Sequence, residues 1–193
     1  MSDKKSIRAF LAIDPPQEIF NELIKIQERL RKTLQGDIRW VRPEGMHLTL
    51  KFFGYIYDSD VANISDVVKN SVANMKALLL NVRSLGAFPS VNRPRVLWLG
   101  MDGDTDALIT LQVEIDAGLE SYGFKKEDRP FRPHLTLARI REPKGLIGLA
   151  ETVKKNEDYV AGSFSVSGLT LFKSDLKPAG AIYTKLAHFP FPK

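Results

Sequence analysis

The tetrapeptide His-Leu-Thr-Leu stands twice in this 193-residue chain, at 47–50 and at 134–137, and the spacing of 87 between the copies is shared by residues well outside them. Arg8 and Arg95, Gly36 and Gly123, Arg42 and Arg129, and Pro43 and Pro130 stand at the same separation. Beyond the tetrapeptides the offset shrinks to 84, matching Val82 with Val166, Leu85 with Leu169, Phe88 with Phe172 and Ser90 with Ser174, as a three-residue deletion in the second half requires. A two-copy repeat of this size predicts two similar lobes related by a pseudo-two-fold axis, not a solenoid of many units. The first repeat is expected over about 6–90 and the second over about 93–187, inside a single bilobal domain covering 1–193.

Each repeat reads as strand, helix, motif strand, helix, strand. Ser6–Asp14 is a short apolar run closed by Pro15 and Pro16, which predicts a strand. Ile19, Leu23, Ile26, Leu30 and Leu34 recur at helical spacing, with Gly36 as the expected left-handed stop. Met46–Tyr55 is the first motif strand, and Ser59 is the expected cap of a helix whose stripe is Val61, Ile64, Val68, Val72 and Met75. Ala77–Phe88 and Arg95–Met101 read as strands, followed by a helix through Leu108, Leu111, Ile115, Leu119 and Tyr122. A basic loop, Lys125–Pro133, leads to the second motif strand, His134–Ile140. A shorter helix near Leu146–Lys155 precedes strands near Ala161–Phe172 and Ala181–Ala187. The fold class expected is α+β, with mostly antiparallel sheets, helices outside and a central cleft.

Successive side chains of a strand point to opposite faces, so each copy of the motif sends His and Thr one way and two leucines the other. Imidazole gives or takes a proton near neutral pH and a hydroxyl can bond an anion, so two such pairs facing each other suit acid–base chemistry on a phosphate. The candidates are therefore His47, His134, Thr49 and Thr136. Arg42, Arg129 and Lys51 are near the motifs and could neutralise phosphate. Arg139 lies five residues beyond His134, so strict alternation points it away from the cleft, and only a bulge or strand end returns it. Phe10, Trp40 and Phe131 are aromatics that could stack on a base, Phe10 first because it shares a strand face with Arg8.

Composition narrows the partners. At 44% hydrophobic and 26% charged residues the chain has an ordinary globular composition. It has no apolar run of about 18 residues and no signal-like N-terminus, so no membrane span is expected and a cytoplasmic location is. With no cysteine and no carboxylate or third histidine at ligand spacing, neither a metal nor a cofactor is expected. The formal charge of +5 favours an acidic partner such as RNA. There is no Walker loop, dinucleotide-type glycine turn, G-x-S-x-G elbow or HExxH helix.

The two HLTL copies, with FLAIDP at 10–15, MHLTLKFFG at 46–54, RVLWLGM at 95–101 and RPFRPHLTLAR at 129–139, resemble the two-histidine (2H) phosphoesterases, in particular the RNA 2′,3′-cyclic phosphodiesterases long called 2′-5′ RNA ligases. The resemblance implies a bilobal fold and metal-independent opening of a terminal 2′,3′-cyclic phosphate to a 2′-phosphomonoester, reversible as 2′-5′ ligation. It implies His47 as proton donor and His134 as proton acceptor, a distinction the symmetry of the sequence does not make, with Thr49 and Thr136 on the non-bridging oxygens. Arg139, Phe10, Arg42 and Arg129 are the expected substrate-binding residues, RNA with a cyclic phosphate end the partner, and a monomer the expected state. Two other readings stay open, a phosphodiesterase for a small cyclic nucleotide and a non-catalytic RNA-binding module.

Overall fold

The computed structural model describes residues 6–178 and 180–192. The elements run in the order β1 (Ser6–Ile13), α1 (Gln17–Thr33), β2 (Gln35–Trp40), a 3-10 turn (Pro43–Gly45), β3 (Leu48–Tyr57), α2 (Asp60–Val72), β4 (Leu78–Ser90), β5 (Arg93–Gly103), α3 (Thr105–Glu120), β6 (His134–Ile147), α4 (Leu149–Lys155), β7 (Val160–Val166), β8 (Gly168–Lys177) and β9 (Gly180–Pro190). They build an α+β fold of two antiparallel sheets, one ordered β3-β1-β8-β9 and the other β2-β6-β5-β4-β7. Among the described residues no helix is long and apolar enough to cross a membrane.

Neither sheet is drawn from one half of the sequence. The four-stranded sheet joins β1 and β3 to β8 and β9, while the five-stranded sheet joins β5, β6 and β7 to β2 and β4. Strands equivalent by the repeat do occupy equivalent places: β1 lies between β3 and β8, as β5 lies between β6 and β4. The third strand of each trio thus comes from the opposite repeat.

One hydrophobic core runs through both sheets. β1 alternates, placing Ile7, Ala9, Leu11 and Ile13 in that core and Phe10 and Ala12 on the other face, where they meet Phe172 and Tyr183 in a smaller cluster. The motif leucines Leu48, Leu50, Leu135 and Leu137 belong to the main core. Helix α1 buries Ile19, Leu23, Ile26 and Leu30, the spacing of one helical face, against β2 and β7. Helices α2 and α3 pack on one another and on β3.

Two helix signals act differently from expectation. Helix α1 stops because the chain turns extended at Leu34, and Gly36 lies inside β2 at φ 142°, where an added Cβ would be 3.2 Å from Leu146 Cα. The glycine allows two strands to approach closely. Ser59 precedes α2 but its hydroxyl bonds no helix N–H; instead Asp60 accepts a hydrogen bond from the Tyr57 N–H at 2.8 Å, fastening the turn.

Candidate active site

His47 is the residue before β3, delivered by a segment that crosses from one sheet to the other. Trp40 is paired with Ala138 of β6, and the Val41 N–H donates to the carbonyl of Leu137, the last residue of the second motif, at 2.9 Å. The buried Gln27 amide donates to both carbonyls, Val41 at 2.8 Å and Leu137 at 2.7 Å, and so clamps this crossing to the motif strand. His47 lies six steps along the chain from Val41, at most about 20 Å when extended, and the 3-10 turn at Pro43–Gly45 shortens that reach.

The His47 side chain is 8% exposed and rests on Phe10 (ring centroids 5.5 Å), Phe172 (4.9 Å) and Tyr183 (5.1 Å). Its Nε2 is 3.3 Å from Asp14 Oδ1, and the other oxygen of Asp14 is 2.7 Å from Lys185 Nζ. Burial pushes the imidazole pKa below its ordinary 6.5; the Asp14 carboxylate and a hydrogen bond to the Gly45 carbonyl pull the other way, and the Lys185 ammonium adds to the lowering.

His134 opens β6 opposite Gly100 of β5. Its Nδ1 is 2.7 Å from the Arg132 carbonyl, which can only accept, so Nδ1 carries the proton and Nε2 is left for chemistry. Both histidines thus bond the carbonyl two residues earlier. Phe88 (5.0 Å) and Trp98 (6.5 Å) wall the ring. Trp98 lies flat over Gly86, where a Cβ would come within 2.3 Å of the indole, so glycine there makes room for the wall. Burial lowers this histidine as well, the Arg132 carbonyl opposes it, and the Arg139 guanidinium lowers it further.

Each motif strand carries a bulge at the same place. In β3, Thr49 pairs with Ala12 and Lys51 with Leu11, leaving Leu50 extra; in β6, Thr136 pairs with Trp98 and Ala138 with Leu97, leaving Leu137 extra. The two residues at each bulge, Leu50-Lys51 and Leu137-Ala138, are all buried, and the alternation restarts one residue late. Arg139 is thereby returned to the face of His134 and Thr136, the condition its position in the sequence demanded. At the equivalent place Phe52 returns to the face of Thr49, and the Arg8 guanidinium stacks 4.4 Å from its ring centroid.

The same bulge removes Lys51 from the candidates. It is 4% exposed, pairs with the Asp116 carboxylate of α3 and donates to the Lys125 carbonyl at 2.6 Å, so it fastens the loop before His134 and meets no phosphate. Among the described residues no group of His, Asp and Glu gathers in a metal-holding arrangement. The third histidine, His188, shares a hydrogen bond with Thr170 at 3.0 Å.

A family model described as LigT like phosphoesterase matches the chain twice in succession, over residues 13–98 and 99–183, one HLTL copy in each. The chain belongs to the LigT-like phosphoesterase family. It is 34% identical over 183 residues to a protein of Methanothermobacter thermautotrophicus named RNA 2′,3′-cyclic phosphodiesterase, covering 95% of this chain and 98% of the relative. The crystal structure of TT0787 of Thermus thermophilus superposes with a TM-score of 0.78 at 26% identity, covering 96% of this chain and 98% of that one. That of Escherichia coli LigT complexed with 3′-AMP gives 0.77 at 25% identity, covering 98% of this chain and all (100%) of the other.

In this LigT-like chain the other sequence candidates divide. Phe10 stands beside His47 but is 5% exposed with Phe172 stacked on it at 5.2 Å, so it is a supporting wall and not an open platform for a base. Arg42 and Arg129 are exposed, the first at the start of the 3-10 turn and the second in the loop before β6. Trp40 is occupied by the Arg31 guanidinium at 4.7 Å. Sequence reasoning overlooked Asp14, Lys185, Phe172, Phe88 and Trp98. A signal for Asp14 existed: it extends the alternation Arg8, Phe10, Ala12 by one step and so falls on the face of Phe10.

Proposed function

We propose that this protein hydrolyses 2′,3′-cyclic phosphate ends of RNA to 2′-phosphomonoesters without a metal, with His134 as general base and His47 as general acid. The relatives' names support the substrate, and the observation that carries the roles is the unequal company of two otherwise matched histidines. Asp14 beside His47 favours its protonated form, and the position of Asp14 in the second repeat is Met101. Arg139 faces His134 instead and favours its neutral form. A carboxylate beside a buried imidazole opposes the loss of its proton and suits it to give one to the leaving oxygen, whereas a guanidinium adds to the lowering by burial and suits the other ring to take one.

In this reaction water attacks phosphorus on the His134 side and its proton passes to His134 Nε2. The bond from phosphorus to O3′ breaks opposite the new one, and His47 delivers a proton to O3′. The hydroxyls of Thr49 and Thr136 bond the non-bridging oxygens, and Arg139 balances their charge, an effect that grows in a site sheltered from water. Substrate phosphate beside His47 raises the imidazole pKa, so binding itself charges the acid.

The test is turnover of an oligonucleotide with a 2′,3′-cyclic phosphate end in the presence of EDTA. His47→Ala and His134→Ala each lower it by about 10²–10⁴-fold with the circular dichroism spectrum unchanged. Full turnover in either variant, or loss of activity on chelation, overturns the reading.

A further inference from the structure

Helix α1 carries a buried amide that takes no part in the proton transfers. Gln27 is 5% exposed, and its Nε2 donates to the carbonyls of Val41 at 2.8 Å and Leu137 at 2.7 Å. An amide nitrogen has two hydrogens, so both are committed. We propose that Gln27 is a positioning residue for Arg139: its grip on the Leu137 carbonyl keeps the β6 bulge in place, and the bulge aims the guanidinium at the face of His134 and Thr136. This rests on the role given to Arg139 above.

The bond falls on the bulge itself. Leu137 is the extra residue there, between Thr136, which pairs with Trp98, and Ala138, which pairs with Leu97. An extra residue is left out of the ladder with β5. Its carbonyl is held from the β2 side instead, by the Val41 N–H at 2.9 Å and by Gln27, which together answer both lone pairs. Without the bulge, strict alternation would carry Arg139 to the face of the motif leucines.

The surroundings of Arg139 do not aim it. Its ladder partner in β2 is Arg39, exposed like itself, and like charges directly opposite repel. Among the described residues no carboxylate pairs with its guanidinium. The direction of the side chain is therefore set by the backbone at Leu137-Ala138, and Gln27 is the side chain that bonds that backbone.

The other repeat supplies a contrast. Ile26-Gln27 and Ile115-Asp116 stand 89 apart, as do Ile19 and Leu108, and Leu30 and Leu119, so Asp116 is the counterpart of Gln27 in α3. It also reaches the opposite repeat's bulge, but through the Lys51 ammonium and not through a carbonyl. That bulge aims Phe52, which has no part in the reaction. Both polar residues are buried, and only one of the two bulges places a group used on phosphate.

Gln27→Met keeps the length and helix propensity of the side chain and loses both donors. Turnover of an oligonucleotide with a 2′,3′-cyclic phosphate end is measured for the wild type, Gln27→Met, Arg139→Ala and the double variant, and the imidazoles are titrated by NMR. Gln27→Met lowers kcat by about 10–100-fold, the effect of moving a group by about 1 Å. In the Arg139→Ala background it lowers kcat by less than about twofold further, as expected of residues that act through one group. The His134 pKa rises in Gln27→Met, because the guanidinium that lowers it has turned away, while Arg83, Asp102 and Arg132 beside it stay in place and His47 titrates as in the wild type. Asp116→Asn, less stable in urea, keeps the kcat and both pKa values of the wild type. Gln27→Glu, of the same shape with one donor when protonated, repeats the cycle if Gln27→Met does not fold. A wild-type kcat in Gln27→Met, an equal loss with and without Arg139, an unmoved His134 or a matching loss in Asp116→Asn overturns the positioning. Full turnover by Arg139→Ala overturns the role of Arg139 on which it rests, and no turnover by the wild type overturns the proposed function.

Discussion

Phe172, from the second half of the chain, holds its ring 4.9 Å from the imidazole of His47, in the first. Phe88, its partner at the 84-residue offset, is 5.0 Å from His134 in the second half. Each histidine is walled by the other repeat's phenylalanine because the third strand of each trio is exchanged. Burial is the largest influence lowering both histidines. Phe172→Leu is therefore expected to admit water to His47 and raise its pKa toward 6.5, leaving His134 unmoved, and Phe88→Leu to do the converse. Titration of the two imidazole resonances by NMR separates the effects, and a shift at the histidine of the same half would contradict the exchange.

Asp14 and Lys185 act on His47 with opposite signs. Under the proposed roles, with His47 as acid and His134 as base, activity falls as pH rises through the pKa of His47, which lies below 6.5 in the free enzyme. Asp14→Asn removes an influence that raises this pKa and moves the alkaline limb of kcat/KM to lower pH. Lys185→Gln removes one that lowers it and moves the same limb to higher pH. The acid limb, set by His134, stays in place in both. Profiles of kcat/KM against pH check this, and shifts of the same sign in both variants would refute it.

The Lys51–Asp116 pair predicts a stability effect with little direct bearing on chemistry. The side chains are 4% and 9% exposed, so removing one partner strands a buried charge. Asp116→Asn is expected to cost about 3–5 kcal/mol in urea unfolding, whereas Lys51→Met combined with Asp116→Leu restores most of the loss. If the double variant is no more stable than the single one, the charge itself is required there.

At Gly86 the expectation concerns shape alone. Alanine would put its Cβ 2.3 Å from the Trp98 ring, forcing the indole off the sheet at about 1–3 kcal/mol. A lowered Tm with an altered tryptophan emission spectrum is the expected result; an unchanged spectrum would mean that the indole does not rest there.

The two-copy repeat and the strands that carry its motifs were legible because each follows from local periodicity or from identity at a fixed offset, and the same identity singles out His47, Thr49, His134 and Thr136 as candidates; β2 and the division of β7 from β8 were not legible. Nor were the bulges. No residue in Leu50-Lys51 or Leu137-Ala138 announces an extra position, and a bulge exists only relative to a partner strand, so Arg139 and Lys51 could not be aimed from alternation alone. Asp14 was readable from the alternation of β1, but an Asp before two prolines serves equally well as the end of a strand, and nothing local pairs it with His47. The exchange of third strands is a long-range pairing that leaves no trace in local pattern, and with it went the roles of Phe88 and Phe172.

That exchange also bears on the chain as something that can be divided. A break in the turn at Val91–Asn92, between β4 and β5, leaves a front fragment without β8 and β9 and a rear fragment without β2 and β4. Neither piece can finish a sheet or complete the wall of its own histidine, yet each carries what the other lacks. Two such fragments are complementary halves, expected to recover activity only by assembling together.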